Sequence, residues 1–143
     1  TQWDELCADP TKIANAVEEI LRFNSPQTSW RRVATQDCEI AGYKIPAGTQ
    51  IFLSLGAANH DEALFDNPET FDIHRDNARK HIAFGQGIHF CLGSRLAVLE
   101  AQIVLELLTK RLPSLALVPG QKFDYVPNFT FRGPKELWLT WDG

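Results

Sequence analysis

Methionine is missing from this chain of 143 residues, including from position 1. We therefore expect the chain to be a fragment of a longer protein. Cysteine is also scarce, since only Cys7, Cys38 and Cys91 are present and none of them forms a C-x-x-C pair. That number and spacing argue against a disulfide framework and against a structural zinc site.

Long apolar runs are absent as well, and no signal peptide opens the sequence. The net charge of -4 gives little attraction to nucleic acid or to an anionic membrane. The hydrophobic content of 44% and the charged content of 22% are typical of a globular protein. We predict a cytoplasmic protein with no membrane anchor and no nucleic-acid partner.

One short stretch, 84–93, concentrates residues that can carry chemistry, and it reads FGQGIHFCLG. A long helix is predicted over 92–110, because apolar residues recur there at helical spacing. Those residues are Leu92, Leu96, Leu99, Ile103, Leu107 and Leu108. Cys91 would then lie at a helix N-terminus, where free N–H groups and the helix dipole favour a thiolate over a thiol. A thiolate there could ligate a metal or attack an electrophile, and the alternative is an inert buried cysteine.

The glycines of this loop, Gly85 and Gly87, allow a close approach to something large and flat. The pattern F-x-x-G-x-x-x-C-x-G resembles the haem-thiolate loop of cytochrome P450 monooxygenases. Its fixed positions are Phe84, Gly87, Cys91 and Gly93. The resemblance implies that Cys91 is the axial ligand of the iron in haem b (iron protoporphyrin IX). It further implies cofactor-binding roles for Phe84, Gly85, His89, Leu92, Gly93 and Ala97, with His89 reaching a haem propionate.

A helix is predicted over 10–23, because Asp9-Pro10 is a favoured start signal. Glu19 and Arg22 share a face of that helix. Taken alone, they indicate a surface ion pair worth at most about 0.5 kcal/mol. The P450 resemblance implies instead an E-x-x-R motif that forms a buried structural triad with Arg75, which helps the protein to fold and to retain haem.

Residues 29–54 alternate between apolar and polar and contain turn signals, so we predict one small antiparallel sheet. Neighbours on a strand point to opposite faces, so only one of Arg31 and Arg32 can face a cofactor. The resemblance implies that Arg32 reaches a haem propionate, and a solvent-facing arginine is the alternative. It also implies that Thr28, Ser29 and Trp30 border the substrate pocket.

An ordered meander is predicted over 61–83, where Asp, Asn and Pro are frequent and no period is sustained. The histidines His60, His74 and His81 have no ligand spacing and are interpreted as structural or surface residues. A closing β-hairpin is predicted over 115–142. The resemblance places Phe131, with Phe129, at the substrate pocket, although core aromatic residues are an equal alternative.

These observations predict a mainly α fold with small antiparallel β-sheets. The resemblance covers residues 1–143, is closest to soluble bacterial members, and implies the C-terminal part of the cytochrome P450 fold. The implied function is insertion of one oxygen atom from O2 into a small apolar organic substrate. Two electrons would come from a ferredoxin and a ferredoxin reductase, and the N-terminal part of the same enzyme would be the missing packing partner. Val98 departs from the arginine that bacterial relatives often have near the redox-partner surface.

Two alternatives stay open from the sequence. The chain could be a non-catalytic fragment that packs against the missing N-terminal part and binds haem weakly or not at all. It could also be a thiol enzyme that pairs Cys91 with His89, although no third orienting residue is evident.

Overall fold

The computed structural model describes residues 1–142, and its first two helices supply most of the core. The predicted helix over 10–23 is a 3-10 turn, Pro10–Lys12, followed by helix α2, Ile13–Phe23. Helix α1, Gln2–Ala8, precedes this turn and begins with a capping box between Thr1 and Asp4. The buried core residues are Leu6, Ile13, Ala16, Val17 and Ile73.

The long helix packs against this core with a face other than the apolar row that predicted the helix. It spans Ser94–Arg111, two residues later than expected at its start, because Gly93 is the N-cap. Its inward residues are Val98, Ala101 and Leu105, so Val98 contributes to packing against the core. The predicted apolar stripe is exposed, namely Leu92, Leu96, Leu99, Ile103 and Leu107. The helix is therefore apolar on two faces, and the described chain covers one of them.

The strands form separate pairs and not the single sheet predicted over 29–54. Strand β1, Ser29–Val33, pairs antiparallel with β4, Gln50–Ser54. Between them, β2 (Cys38–Ile40) and β3 (Tyr43–Ile45) form their own antiparallel hairpin. The turn at Ala41-Gly42 closes this hairpin with positive φ angles of 50° and 84°. A short helix α3, Leu55–Ala58, follows β4.

The segment from Asn59 to Gly93 contains only short 3-10 turns, Ala78–Lys80 and Gly87–His89. Side chains from the helices fix it in place. The Gln2 side chain donates to the Phe71 carbonyl at 2.9 Å and accepts from the Ile73 amide at 2.7 Å. The long helix is labelled α4. These hydrogen bonds fix the backbone of the segment that connects α3 to the cysteine before α4.

The predicted hairpin over 115–142 consists of one short antiparallel strand pair and an isolated antiparallel bridge between Tyr125 and Pro134. Strand β5 is Ala116–Leu117 and strand β6 is Leu139–Thr140. The intervening chain contains prolines that cannot donate to a strand ladder, at positions 119, 127 and 134. Part of it pairs elsewhere, because Phe131 forms an isolated bridge with Gln27. None of the helices in residues 1–142 has the length and apolarity needed to cross a membrane.

Candidate functional site

The cysteine loop, 84–93, is closed by backbone hydrogen bonds on both sides of Cys91. The Cys91 amide donates to the Phe84 carbonyl at 3.0 Å, and the Ser94 amide donates to the Cys91 carbonyl at 3.2 Å. Gly85 and Gly87 both have φ of 72°, a conformation that glycine adopts without steric cost. The hydrogen bond to the Phe84 carbonyl and the conformations of Gly85 and Gly87 therefore fix the position of the Cys91 sulfur, directly before helix α4.

The sulfur of Cys91 is a free, exposed thiol next to the helix start. A Cβ atom added to Gly93 would lie 4.0 Å from Cys91 Sγ, so the first turn of α4 runs close to the sulfur. Unpaired N–H groups at a helix N-terminus can donate hydrogen bonds to a thiolate. This environment suits a sulfur that acts as a metal ligand.

Aromatic rings flank the loop on the side of the meander. The Phe84 ring makes an edge contact with the Phe90 ring at a centroid distance of 6.4 Å. It also lies 5.9 Å from the His81 ring, with the two planes tilted. These contacts brace the two ends of the loop and place apolar groups around the cysteine.

Large apolar side chains around Cys91 point into open space. Ile88 is 97% exposed and Leu92 is 101% exposed, and the neighbouring Phe90 and Leu96 are exposed as well. Such a contiguous apolar surface is unfavourable in water and indicates a binding surface. No atom lies within 4 Å of a Cβ built on Gly87, so the loop leaves room for a flat ligand. The loop residues therefore fit a large, flat, apolar cofactor such as haem.

A cavity of about 370 Å³ brings the predicted cationic residues to one edge of the loop. It is lined by Trp30, Arg32, Gly85, Gln86 and His89. Arg32 comes from β1, and its Nη1 donates to the Arg31 carbonyl at 2.8 Å. A guanidinium and an imidazole in one cavity suit anionic groups at the rim of an apolar ligand.

Glu19, Arg22 and Arg75 meet in the interior. Glu19 and Arg22 are 0% exposed and Arg75 is 8% exposed. Arg22 binds the carboxylate in a bidentate manner, with Nε at 2.7 Å from Oε2 and Nη2 at 2.8 Å from Oε1. Arg75 Nε donates to Glu19 Oε1 at 3.2 Å. This arrangement is a buried, hydrogen-bonded network and not the exposed pair that spacing alone indicates.

Carbonyl groups of the meander satisfy the remaining guanidinium donors. Arg22 Nη1 donates to the carbonyls of Asn59 and Pro68, both at 2.9 Å. Arg75 Nη1 donates to the Asp66 carbonyl at 2.7 Å. The network therefore ties α2 to the backbone that leads into the cysteine loop.

The charge state of Glu19 follows from two opposing effects. Burial raises the pKa of the Glu19 carboxyl, but hydrogen bonds from Arg22, the Asp72 amide and Arg75 outweigh burial and lower the pKa overall. The network thus contributes stability that is present above the ordinary glutamate pKa of about 4.3. That stability is lost as the pH falls through the lowered pKa of the folded state.

The predicted substrate contacts lie where β1 meets the chain near residue 130. The Thr28 amide donates to the Thr130 carbonyl at 2.8 Å, and Ser29 Oγ donates to the Phe129 carbonyl at 2.6 Å. Ser29 is buried, whereas Trp30 is 45% exposed and Phe131 is 55% exposed. Thr28, Ser29, Trp30 and Phe131 therefore belong to one region of the structure. The Thr28 and Ser29 hydroxyls donate hydrogen bonds to a backbone carbonyl, whereas the Trp30 and Phe131 side chains are exposed.

Asn59 is a buried residue that sequence reasoning missed. Its Nδ2 donates to Ser25 Oγ at 2.8 Å, and its Oδ1 accepts from the Ile82 amide at 2.8 Å. Its backbone carbonyl also accepts a hydrogen bond from Arg22. In the sequence it follows a short helix and looks like a polar helix exit, so no local signal could have found it.

The histidines outside the loop are hydrogen-bonded within the chain. His60 Nδ1 lies 3.0 Å from the Gly56 carbonyl oxygen, and His74 Nε2 lies 2.7 Å from Glu5 Oε2. His81 Nε2 lies 3.1 Å from Glu18 Oε2. Across residues 1–142, no group of three or more His, Cys, Asp or Glu side chains is arranged to hold a metal ion.

Known proteins share both the sequence and the shape of this chain. It is 46% identical over 138 residues to the biotin biosynthesis cytochrome P450 of Bacillus subtilis, which covers 96% of this chain and 34% of that protein. It is 42% identical over 138 residues to cytochrome P450 105A3 of Streptomyces carbophilus, covering 95% of this chain and 33% of the relative. The chain thus spans about a third of the length of these curated relatives.

A solved structure gives the same result for the fold. The crystal structure of an intact type IV self-sufficient cytochrome P450 monooxygenase superposes with a TM-score of 0.95 and 51% identity. The match covers 98% of this chain and 18% of that protein. The prediction of helices with small antiparallel sheets, forming a part of the P450 fold, is confirmed. Because the family model for cytochrome P450 matches residues 13–124 as well, this chain belongs to the cytochrome P450 family.

Proposed function

We propose that this chain is the C-terminal, haem-binding part of a P450 monooxygenase and that the Cys91 sulfur would hold the iron of haem b. The observation that carries the proposal is the position of the free Cys91 thiol. It is exposed at the start of α4, on a glycine-containing loop, and surrounded by uncovered apolar side chains. This combination suits a thiolate that faces a large apolar cofactor.

When bound, haem supplies the iron at which oxygen is reduced and one oxygen atom is transferred to the substrate. The Cys91 thiolate would hold the iron and supply electron density to it. Backbone N–H groups at the start of α4 would moderate this donation by hydrogen bonding to the sulfur. Phe84 and Phe90 would keep water from the sulfur, while Leu92, Gly93 and Ala97 would contact the cofactor.

The cavity beside the loop would receive the charged edge of the cofactor. Arg32 and His89 line it together, and both can donate hydrogen bonds to carboxylates. We assign them to the haem propionates, with Gly85 allowing close approach. This use of His89 leaves the thiol-enzyme alternative without a base for Cys91.

A small apolar organic molecule is the proposed substrate class. Trp30 and Phe131 offer exposed aromatic surface, and Trp30 lines one cavity with Gly85, Gln86 and His89 of the loop. Thr28 and Ser29 hold the chain around residue 129 through their hydroxyl groups, so we assign them to positioning that aromatic surface. The other walls of the pocket would come from the N-terminal part of the same enzyme.

Two electrons must be supplied to the protein, and we propose a ferredoxin and its ferredoxin reductase as the donors. The cytoplasm is the proposed location. The three free thiols are of the kind that a reducing compartment preserves. The Glu19, Arg22 and Arg75 network would serve haem retention and folding and would take no part in the chemistry.

Isotope labelling of the full-length, haem-loaded protein tests the proposed reaction. The protein would be supplied with ferredoxin, reductase and a panel of apolar substrates under 18O2. We expect a hydroxylated product that carries one 18O atom, because a monooxygenase transfers one atom of O2 to its substrate. Product labelled only from H2 18O in the reciprocal experiment would contradict the proposal.

The isolated 143 residues are expected not to insert oxygen, even where they take up haem. The apolar face of α4 and the loop is open to water in this chain. A water-excluding site is what prevents loss of reactive species before the substrate is attacked. Positioned proton donors would also be missing on the substrate side.

The measurement is haem titration of the chain, followed by product and hydrogen peroxide assays beside the full-length protein. Hydrogen peroxide without product is the expected result for the chain. Coupled product formation at the full-length rate would show that the missing part is not required. Failure to bind haem at all would favour the non-catalytic fragment as a description of this piece.

A further inference from the structure

His81 is buried beside the cysteine loop and uses both ring nitrogens. Its side chain is 5% exposed, and its Nε2 lies 3.1 Å from Glu18 Oε2 on α2. The Ala83 amide donates to Nδ1 at 3.1 Å. An Nδ1 that accepts a hydrogen bond carries no proton, so the proton is on Nε2 and is donated to Glu18. This geometry selects one neutral tautomer.

The same ring reaches the loop by two routes. The first is the Ala83 amide, one residue before the loop begins. The second is the Phe84 ring, whose centroid lies 5.9 Å from that of His81. The Phe84 carbonyl in turn accepts from the Cys91 amide at 3.0 Å. His81 therefore connects α2 to the backbone that holds the cysteine.

We propose that neutral His81 is a positioning residue for the cysteine loop and that its protonation loosens the loop. Protonation would place an N–H at Nδ1, directly facing the N–H of Ala83. Two donors cannot share a hydrogen bond, so the contact to the loop would be lost while the contact to Glu18 remained. The haem part of this inference rests on the proposed function, whereas the loop contact itself does not.

Charged groups around the ring set the pH at which this would occur. Glu18 faces His81 from α2, and Arg79 Nε lies 3.9 Å from Glu18 Oε1. His81, Glu18 and Arg95 of α4 line one cavity of about 350 Å³. Burial lowers the pKa of His81, and the charge and hydrogen bond of Glu18 only partly oppose this effect. The loop contact should thus be complete above pH of about 6.5, the ordinary histidine value, and be lost as the pH falls through the lowered pKa.

Amide hydrogen exchange of the haem-loaded full-length protein, followed from pH 5 to 8, tests the proposal. After correction for the intrinsic exchange rate, protection of residues 83–91 should fall by about three- to tenfold at the acidic end, the worth of one hydrogen bond. In the same samples, the red-shifted Soret band of the ferrous carbon monoxide complex should decline over the same pH range.

Three variants separate this role from a merely structural one. His81→Phe keeps a ring beside Phe84 but has no ring nitrogen. In this variant the exchange protection of residues 83–91 should be low and should not change with pH through a His81 protonation. Glu18→Gln should move the transition to lower pH, because a neutral amide no longer favours the charged imidazole. His74→Phe is the matched control, since His74 also binds a glutamate, Glu5 at 2.7 Å, but is 52% exposed and remote from the loop. It should leave the transition unchanged.

An identical pH course in the wild type and His81→Phe would overturn the proposal, and so would a transition that Glu18→Gln moves to higher pH. If His81→Phe does not fold, Glu18→Gln alone decides by the direction of its shift. A wild type that shows the exchange transition but never the red-shifted band would refute thiolate ligation while leaving the loop contact intact.

Discussion

Replacing Cys91 with alanine in the full-length protein is expected to abolish the red-shifted Soret band of the ferrous carbon monoxide complex. The band would depend on a thiolate that holds the iron, and Cys91 is the only cysteine of the loop. The loss should be complete, since no other thiol lies between Phe84 and Gly93. The difference spectrum after reduction and addition of carbon monoxide is the measurement.

Cys38→Ala is the matched control for this experiment. Cys38 is also a free, exposed cysteine, but it lies in β2, away from the loop. Its removal should leave the spectrum unchanged. A red-shifted band that persists in Cys91→Ala at full haem content would refute the axial assignment.

Arg22→Ala is expected to destabilise the protein by about 3–5 kcal/mol, because it leaves a buried carboxylate without its bidentate partner. Glu19 would keep Arg75, at 3.2 Å, but would lose both close contacts from Arg22. Haem content and soluble yield should fall with the free energy of unfolding. Denaturant unfolding and the haem-to-protein ratio of the full-length variant are the measurements.

Lys12→Ala supplies the control for Arg22→Ala. Lys12 pairs with Glu5 at 3.4 Å, and both side chains are partly exposed, at 32% and 43%. An ion pair of this kind contributes about 1 kcal/mol or less. If Arg22→Ala behaved like Lys12→Ala, the buried network would not be the structural support that its geometry indicates.

Local sequence patterns were sufficient for the predictions that depend only on neighbouring residues. The start of the helical segment that contains α2 follows from Asp9-Pro10, and the position of Cys91 beside a helix start follows from its loop and the apolar period after it. The resemblance to the E-x-x-R motif of the P450 family added Arg75, which is remote in sequence from Glu19. Spacing alone indicated an exposed pair there, whereas the structure buries it.

The orientation of α4 could not be predicted from its own sequence. Both Leu96, on the exposed side, and Val98, on the packed side, belong to apolar rows at helical spacing. The larger residues form the row that this chain leaves uncovered, so residue size does not identify the packed face. The period shows that a helix has apolar faces, but it does not show which partner covers each of them.

Pairings between distant segments were also beyond local reasoning. The hairpin at the end of the chain pairs only in part, and Phe131, beside its turn, forms a bridge with the distant Gln27. His81 and Glu18, which are 63 positions apart, form a partly buried pair that the sequence around neither residue indicates. Such contacts depend on how the meander folds back over α2, and this path has no periodic pattern to follow.

X-ray absorption at the iron K-edge of the haem-loaded, full-length protein tests the central claim most directly, because it identifies the atoms bound to iron. The account predicts one sulfur in the first coordination shell of the wild type and none in Cys91→Ala, with Cys38→Ala identical to the wild type. A first shell of only nitrogen and oxygen in the wild type, or a sulfur that survives the Cys91 substitution, would contradict it.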